Sequence, residues 1–253
     1  MLYVEILGRG PDLVLLHGWG MHGGIWDGVR QALALQFRLH IIDLPGYGAS
    51  AHCEPYTLAA LANEVAQAMP QRAHVCGWSL GGQVAIRLAL DFPGRLDKLV
   101  LLSTTPCFRR REDWPQAMDE VTLQEFARSL AHDYAGTLQR FLSLQARSGD
   151  DAREVIAVLR AKLFARGAPS LLSLSRGLAI LQDVDLREES PAISHSTLVL
   201  HGARDTLTPL GAGEWLAQNI PDSALKIVAG GAHAPFLSHR LETIAAMEHF
   251  LHG

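Results

Sequence analysis

Ala73-His74-Val75-Cys76-Gly77-Trp78-Ser79-Leu80-Gly81-Gly82 is the stretch that decides how this chain folds. A short apolar run (Ala73, Val75, Cys76) stops at Gly77, and a helix-permissive stretch from Gln83 to Leu90 begins almost at once. A strand that turns straight into a helix forces its corner residue into strained backbone angles, with the side chain pointing outward. The residues two before and two after the corner must be small, because Cβ atoms there would collide across the turn. Gly77 and Gly81 meet that need in the pattern G-x-S-x-G, and Gly82 lets the helix approach the sheet. Such a string also occurs as a plain glycine-rich turn. The strand before it and the helix after it favour an elbow that exposes Ser79 beside the Leu80 N–H and the positive end of a helix.

Other apolar runs build outward from this one. Leu13–His17, Leu39–Asp43, Lys98–Ser103, Thr197–His201 and Ala224–Val228 read as further strands. The near-continuous runs among them are typical of strands covered on both faces. Helical periodicity separates the strands, as in Thr57–Met69, which implies a mostly parallel α/β sheet wrapped on both sides. From about Pro106 to Leu186 the pattern turns helical, with Leu123–Leu130, Gly136–Ala146 and Asp151–Phe164 as examples. The expectation is a core of residues 1–105 and 187–253, with 106–186 inserted as a helical cap over the strand ends.

Length and composition narrow the function. At 253 residues, 48% of them apolar, the chain can bury one large core, and a formal charge of −4 argues against general nucleic-acid binding. Cys53, Cys76 and Cys107 lack paired spacing, so no disulfide framework or zinc site is expected. No apolar run reaches membrane-spanning length, and Met1-Leu-Tyr-Val-Glu-Ile6 lacks the features of a signal peptide. A cytoplasmic protein, outside the membrane and without a metal or cofactor, is the expectation.

A serine hydroxyl needs a base to take its proton. Twelve histidines compete for that role. His233, in Gly230-Gly-Ala-His-Ala-Pro-Phe236 after the last strand, can reach the rim where Ser79 stands. His17 and His201 sit at strand ends where structural roles are expected, and the other nine lack a comparable setting. Asp205, a few residues past the penultimate strand, suits the group that fixes the imidazole, although a turn-forming Asp before a helix would look the same. The order Ser, Asp, His, each after a strand, fits a hydrolase triad. A developing oxyanion needs two N–H donors. Leu80 would supply one and Trp19 the other, with the Trp19 indole either lining a pocket or packing its own loop.

A rival reading comes from another class. Gly18-Trp-Gly-Met-His-Gly23 is G-x-G-x-x-G after a strand, and Asp43 ends the next strand, the outline of an NAD-binding oxidoreductase. Trp19 would crowd a phosphate turn, and this reading leaves Ser79, Asp205 and His233 unexplained.

His17-Gly-Trp-Gly20, Asp43-Leu-Pro-Gly-Tyr-Gly-Ala-Ser50, Gly77-Trp-Ser-Leu-Gly-Gly82 and Ala232-His-Ala-Pro-Phe-Leu-Ser-His239 resemble the BioH family of α/β-hydrolases. Within the insertion, Thr105-Pro-Cys-Phe108, Asp113-Trp-Pro115, Arg140-Phe-Leu-Ser-Leu-Gln145, Gly177-Leu-Ala-Ile-Leu181 and Asp185-Leu-Arg187 extend the resemblance over nearly the whole chain. It implies an α/β-hydrolase fold and a serine carboxylesterase, acting through Ser79, Asp205 and His233. The implied substrate is the methyl ester of pimeloyl-acyl-carrier protein, cleaved for biotin synthesis. It also implies substrate contacts at Trp19, Leu80, Phe141, Leu142, Ser143, Leu144 and Gln145. A small-ester esterase, lactonase or C–C hydrolase of the same fold is the alternative.

Charge gives an independent reason to expect an acidic partner. From Arg140 to Arg166 there are six basic and three acidic residues. Arg140 and Arg147, like Arg153 and Arg160, are seven apart and share a helix face. Such a patch would steer an acidic carrier protein to a monomeric enzyme, or it is an ordinary solvated face. Arg140 and Arg153 match family docking positions. Arg147 and Arg160 do not match cleanly, and Gly136 and Ala157 stand where the family has arginine.

Overall fold

The computed structural model describes residues 1–146 and 149–253. In chain order its main elements are β1 (Val4–Leu7), β2 (Asp12–Leu16), α1 (Asp27–Leu33), β3 (Arg38–Ile42), α2 (Leu58–Ala68), β4 (Ala73–Trp78), α3 (Leu80–Asp91) and β5 (Leu96–Leu102). Four helices follow: α4 (Glu120–His132), α5 (Tyr134–Gln145), α6 (Ala152–Leu163) and α7 (Leu171–Asp183). The chain then completes β6 (Thr197–Gly202), α8 (Leu210–Asn219), β7 (Ser223–Val228), the one-turn α9 (Pro235–Ser238) and α10 (Arg240–His252).

The sheet order is β1-β3-β2-β4-β5-β6-β7. All six expected strands form and pair in parallel. The sequence reading missed β1, which adds antiparallel to β3 with Val4 opposite Ile42. Its side chains are only partly buried, so the four residues carry none of the apolar continuity that marked the others. Strands β2 to β5 are fully buried over most of their length, as expected where helices cover both faces.

The winding order places the site. From β2 the chain steps outward to β3, then returns to place β4 on the other side of β2. Connections leaving β2 and β4 therefore diverge, and the carboxyl ends of strands at such a switch are where open α/β sheets place their sites. The β2 exit loop, His17 to His22, and the β4 exit at Ser79 meet at this end of the sheet, since Leu16 is level with Gly77. Strands β6 and β7 end on the same side, each parallel to its neighbour.

Candidate active site

The turn after β4 is strained as its sequence requires. Ser79 has φ +56° and ψ −119° and caps the N-terminus of α3 without a side-chain hydrogen bond. Such backbone angles cost on the order of 1–3 kcal/mol and persist only where the surroundings impose them. Here they do. A Cβ on Gly77 would lie 2.2 Å from the Gly81 carbonyl oxygen, and one on Gly81 would lie 2.5 Å from that of Leu16. Ser79 N–H donates to the Leu102 carbonyl at 3.1 Å, and Thr104 Oγ1 donates to the Ser79 carbonyl at 2.7 Å.

Asp205 and His233 meet although 28 residues separate them. His233 Nδ1 lies 2.8 Å from Asp205 Oδ2, and both side chains are fully buried. A carboxylate only accepts, so the proton sits on Nδ1 and Nε2 carries the lone pair. Nε2 is buried and has no hydrogen-bond partner among the described residues. The loop around His233 is pinned from two sides. Trp78 Nε1 donates to its carbonyl at 2.8 Å, and its own N–H donates to the Gln145 carbonyl at 3.0 Å. The Trp78 and His233 rings lie 5.5 Å apart, so the imidazole stands beside the residue that precedes Ser79.

Asp205 is held by more than the imidazole. Its Oδ1 accepts from the N–H groups of Leu207 and Thr208, each at 2.9 Å, and its Oδ2 accepts from Thr208 Oγ1 at 2.7 Å. Burial raises the carboxyl pKa, but the facing His233, with His201 and the Thr208 hydroxyl, outweighs it and holds the acid below its ordinary value. His201 is the second imidazole here. Burial lowers its pKa, only partly offset by Asp205, so the ring stays neutral. Neither Thr208 nor Trp78 was singled out as a functional residue from the sequence, and His201 was read as structural. No spacing rule distinguishes a threonine in a turn.

The β2 exit loop lies against the serine. A Cβ on Gly18 would come within 3.1 Å of Ser79 Cβ. His17 orients the loop: its Nε2 accepts from Leu44 N–H at 2.9 Å, which puts the proton on Nδ1, facing the Gly18 carbonyl at 2.9 Å. Of the two roles open to the Trp19 indole, packing is prominent. It is buried, donates to the Leu174 carbonyl of α7 at 2.9 Å, and stacks edge-on against Phe141 of α5 at 4.8 Å. The bond reaches beyond its own loop to the helical segment.

The expected substrate-contact run divides along α5. Phe141, Leu142 and Gln145 are buried, whereas Ser143 and Leu144 are half-buried. Ser143 Oγ donates to the Gln139 carbonyl of its own helix at 2.9 Å. Arg140, Arg153 and Arg160 are exposed, and Arg147 lies outside the described residues. Two of the six basic residues counted from the sequence do not belong to a free patch. Lys162 pairs with Asp27 at 2.5 Å, and Arg166 pairs with Glu5 and the buried Asp43.

The dinucleotide outline is occupied by internal contacts. Asp43 accepts from the N–H groups of Gly23 and Ala49 and from Arg166, so its carboxylate is committed to the fold. A Cβ on Gly23 would meet Ile41 at 2.6 Å, which explains that glycine by packing alone. Among the described residues, no group of three or more His, Cys, Asp or Glu side chains is placed to hold a metal, and no helix is long and apolar enough to cross a membrane.

Comparison with known proteins agrees with this architecture. Residues 11–240 match the family described as alpha/beta hydrolase fold. A bromoperoxidase from Bacillus anthracis superposes with a TM-score of 0.93 at 25% identity, covering 100% of this chain and 95% of that one. An esterase from Exiguobacterium antarcticum gives 0.88 at 25% identity, covering 100% and 96%. The pimeloyl-(acyl-carrier protein) methyl ester esterase of Nitrosomonas europaea is 48% identical, with 94% of each chain covered. The protein of the same name from Aeromonas hydrophila is 44% identical, with 98% of each covered. The chain therefore belongs to the alpha/beta hydrolase fold family and, within it, to the BioH family of esterases.

Proposed function

We propose that this chain is a serine carboxylesterase that hydrolyses the methyl ester of pimeloyl-acyl-carrier protein, releasing methanol and a free carboxylate for biotin synthesis. The observation that carries the reading is the buried Asp205–His233 pair, whose imidazole keeps an unpartnered Nε2 and packs near Trp78, the residue before the strained Ser79. In this mechanism Nε2 takes the Ser79 proton as Oγ attacks the ester carbonyl. The backbone N–H groups of Leu80 and Trp19 receive the oxyanion. Asp205 stabilises the imidazolium, which then protonates the departing methoxide, and water repeats the sequence on the acyl-enzyme.

Residues 106–186 act as the cap. Between α4 and α5 runs a groove of about 440 Å³, bordered by Thr122, Phe126, Ser129 and Arg140. Phe126 lies 5.7 Å from Phe141, which lies 4.8 Å from Trp19. That aromatic succession supports an apolar path from the cap surface to Ser79, with Phe141, Leu142, Leu144 and Gln145 along it. Arg140, Arg153 and Arg160, together with Arg147, dock the acidic carrier protein by charge. The enzyme works as a cytoplasmic monomer.

Methanol release from pimeloyl-carrier protein methyl ester tests the reading directly. The wild type should turn over this substrate with a far higher kcat/KM than a small free methyl ester. Equal efficiency on both would favour a general esterase, and no release from either would overturn the assignment.

A further inference from the structure

Two buried imidazoles face one carboxylate oxygen. His233 Nδ1 is 2.8 Å from Asp205 Oδ2 and His201 Nε2 is 3.5 Å from it. Thr208 stands between them and bonds to both sides. Its carbonyl accepts from His201 Nε2 at 2.6 Å, and its hydroxyl lies 2.7 Å from Oδ2 and 3.2 Å from His233 Nδ1.

The hydroxyl has one hydrogen and two acceptors within reach: Oδ2 and, at 3.3 Å, the Ser103 carbonyl. A hydrogen bond to an ionised acceptor is shorter and roughly twice as strong as a neutral one, so the hydrogen goes to Asp205. Ser103, with φ +42°, is the other residue besides Ser79 among the described non-glycine residues to adopt a left-handed backbone. Its strained turn sets its carbonyl against the Thr208 hydroxyl. Strain of this kind gathers where the surroundings fix a functional geometry.

We infer that Thr208 is a positioning residue that reserves Asp205 for His233. Its carbonyl keeps the His201 N–H occupied, and its hydroxyl fills the side of Oδ2 that would otherwise turn toward His201. Without the hydroxyl, Oδ2 has an unfilled acceptor site 3.5 Å from His201 Nε2, whose hydrogen is then shared between the Thr208 carbonyl and the carboxylate, and the hold of Asp205 on His233 weakens. His233 pairs with Asp205, its carbonyl accepts from Trp78 Nε1, and its N–H donates to the Gln145 carbonyl. The Arg204–Asp150 ion pair lies on the flanking loops, where the Arg204 N–H donates to the Gly231 carbonyl and the Asp150 N–H to that of Gly230.

The inference rests on the reading of Asp205 and His233 as catalytic, so its test has one arm that does not depend on turnover. In Thr208→Val, the downfield proton resonance of His233 Nδ1–H should move upfield, while Thr208→Ser keeps it within a few tenths of a ppm of wild type. On p-nitrophenyl butyrate, Thr208→Val should lower kcat about tenfold with KM within twofold, and Thr208→Ser should stay within threefold on both. Adding His201→Leu to Thr208→Val removes the competing donor and should recover at least half of the lost kcat on a logarithmic scale. An unmoved resonance in Thr208→Val, or equal losses in the Val and Ser variants, would overturn the inference. A wild type that shows the resonance but no ester hydrolysis would instead sink the catalytic reading.

Discussion

Trp78 Nε1 donates to the carbonyl oxygen of His233 across 155 positions of sequence. The residue just before the strained serine thus holds the backbone of the loop that carries the imidazole. A hydrogen bond between two buried groups is costly to leave unmade, so the elbow and the histidine loop are fixed relative to each other by the core itself. The same indole packs on Phe236, three residues past His233, at 5.1 Å.

Ser79→Ala removes the proposed nucleophile and nothing that holds the turn, since no side-chain hydrogen bond from Ser79 caps α3. Turnover of p-nitrophenyl butyrate should fall by at least about 10³-fold with an unchanged thermal midpoint. Near-normal turnover would rule Ser79 out.

Reversing charge at Arg140 and Arg153 separates docking from chemistry. Both side chains are exposed, Arg140 midway along α5 and Arg153 in the first turn of α6. Arg140→Glu with Arg153→Glu should slow hydrolysis of the carrier-linked ester about tenfold or more, an effect that shrinks in high salt. A small free ester should be cleaved within about twofold of wild type, and equal losses on both would reject the docking role.

The elbow glycines should be intolerant where another backbone blocks them. Gly77→Ala puts a Cβ 2.2 Å from the Gly81 carbonyl oxygen, an atom that cannot swing aside. A loss of about 3 kcal/mol or failure to fold is expected from overpacking of this kind. Gly94→Ala meets nothing within 4 Å and should stay within about 0.5 kcal/mol of wild type. Urea unfolding of the pair measures both.

Burial pushes the His17 imidazole down to about 4, against an ordinary 6.5. The unfolded chain therefore binds a proton there between pH 6.5 and 4 that the native protein refuses, and stability falls as pH is lowered through that window. The contribution is about 3 kcal/mol at its full extent. Unfolding free energy measured from pH 7 to 4.5 should fall less steeply in His17→Gln than in wild type. Equal slopes would mean that His17 is not held neutral by the fold.

Arg187 joins the two connections between the sheet and α4–α7. Its guanidinium bonds to Asp185 and to Asp113 at 2.8 Å, and lies 5.3 Å from the Trp114 ring centroid. Leu186 N–H donates to the Pro106 carbonyl beside it. Arg187→Met should cost about 1–3 kcal/mol, the scale for lost charge-assisted hydrogen bonds. Hydrogen exchange should quicken in residues 106–118 and 184–189 while β2 to β5 stay protected. Uniform exchange across the chain would argue against a local fastening.

Much of this protein was legible as sequence because its strands are buried on both faces, and such strands write themselves as unbroken apolar runs. Gly77, Ser79 and Gly81 were readable for a related reason: a turn this tight admits few residue types, so the backbone requirement appears directly in the sequence. Asp205 and His233 could be placed only by their position after strands. Val4–Leu7 escaped because an edge strand with one covered side leaves little hydrophobic pattern. The basic count from Arg140 to Arg166 overstated a free surface, because the carboxylates that bind Lys162 and Arg166 come from residues 5, 27 and 43. Thr208 lay beyond reach for the same reason. Its importance comes from what it touches in space, on Asp205, His201 and His233 together, and contacts between distant residues exist only once the sheet has brought its strand ends to one rim.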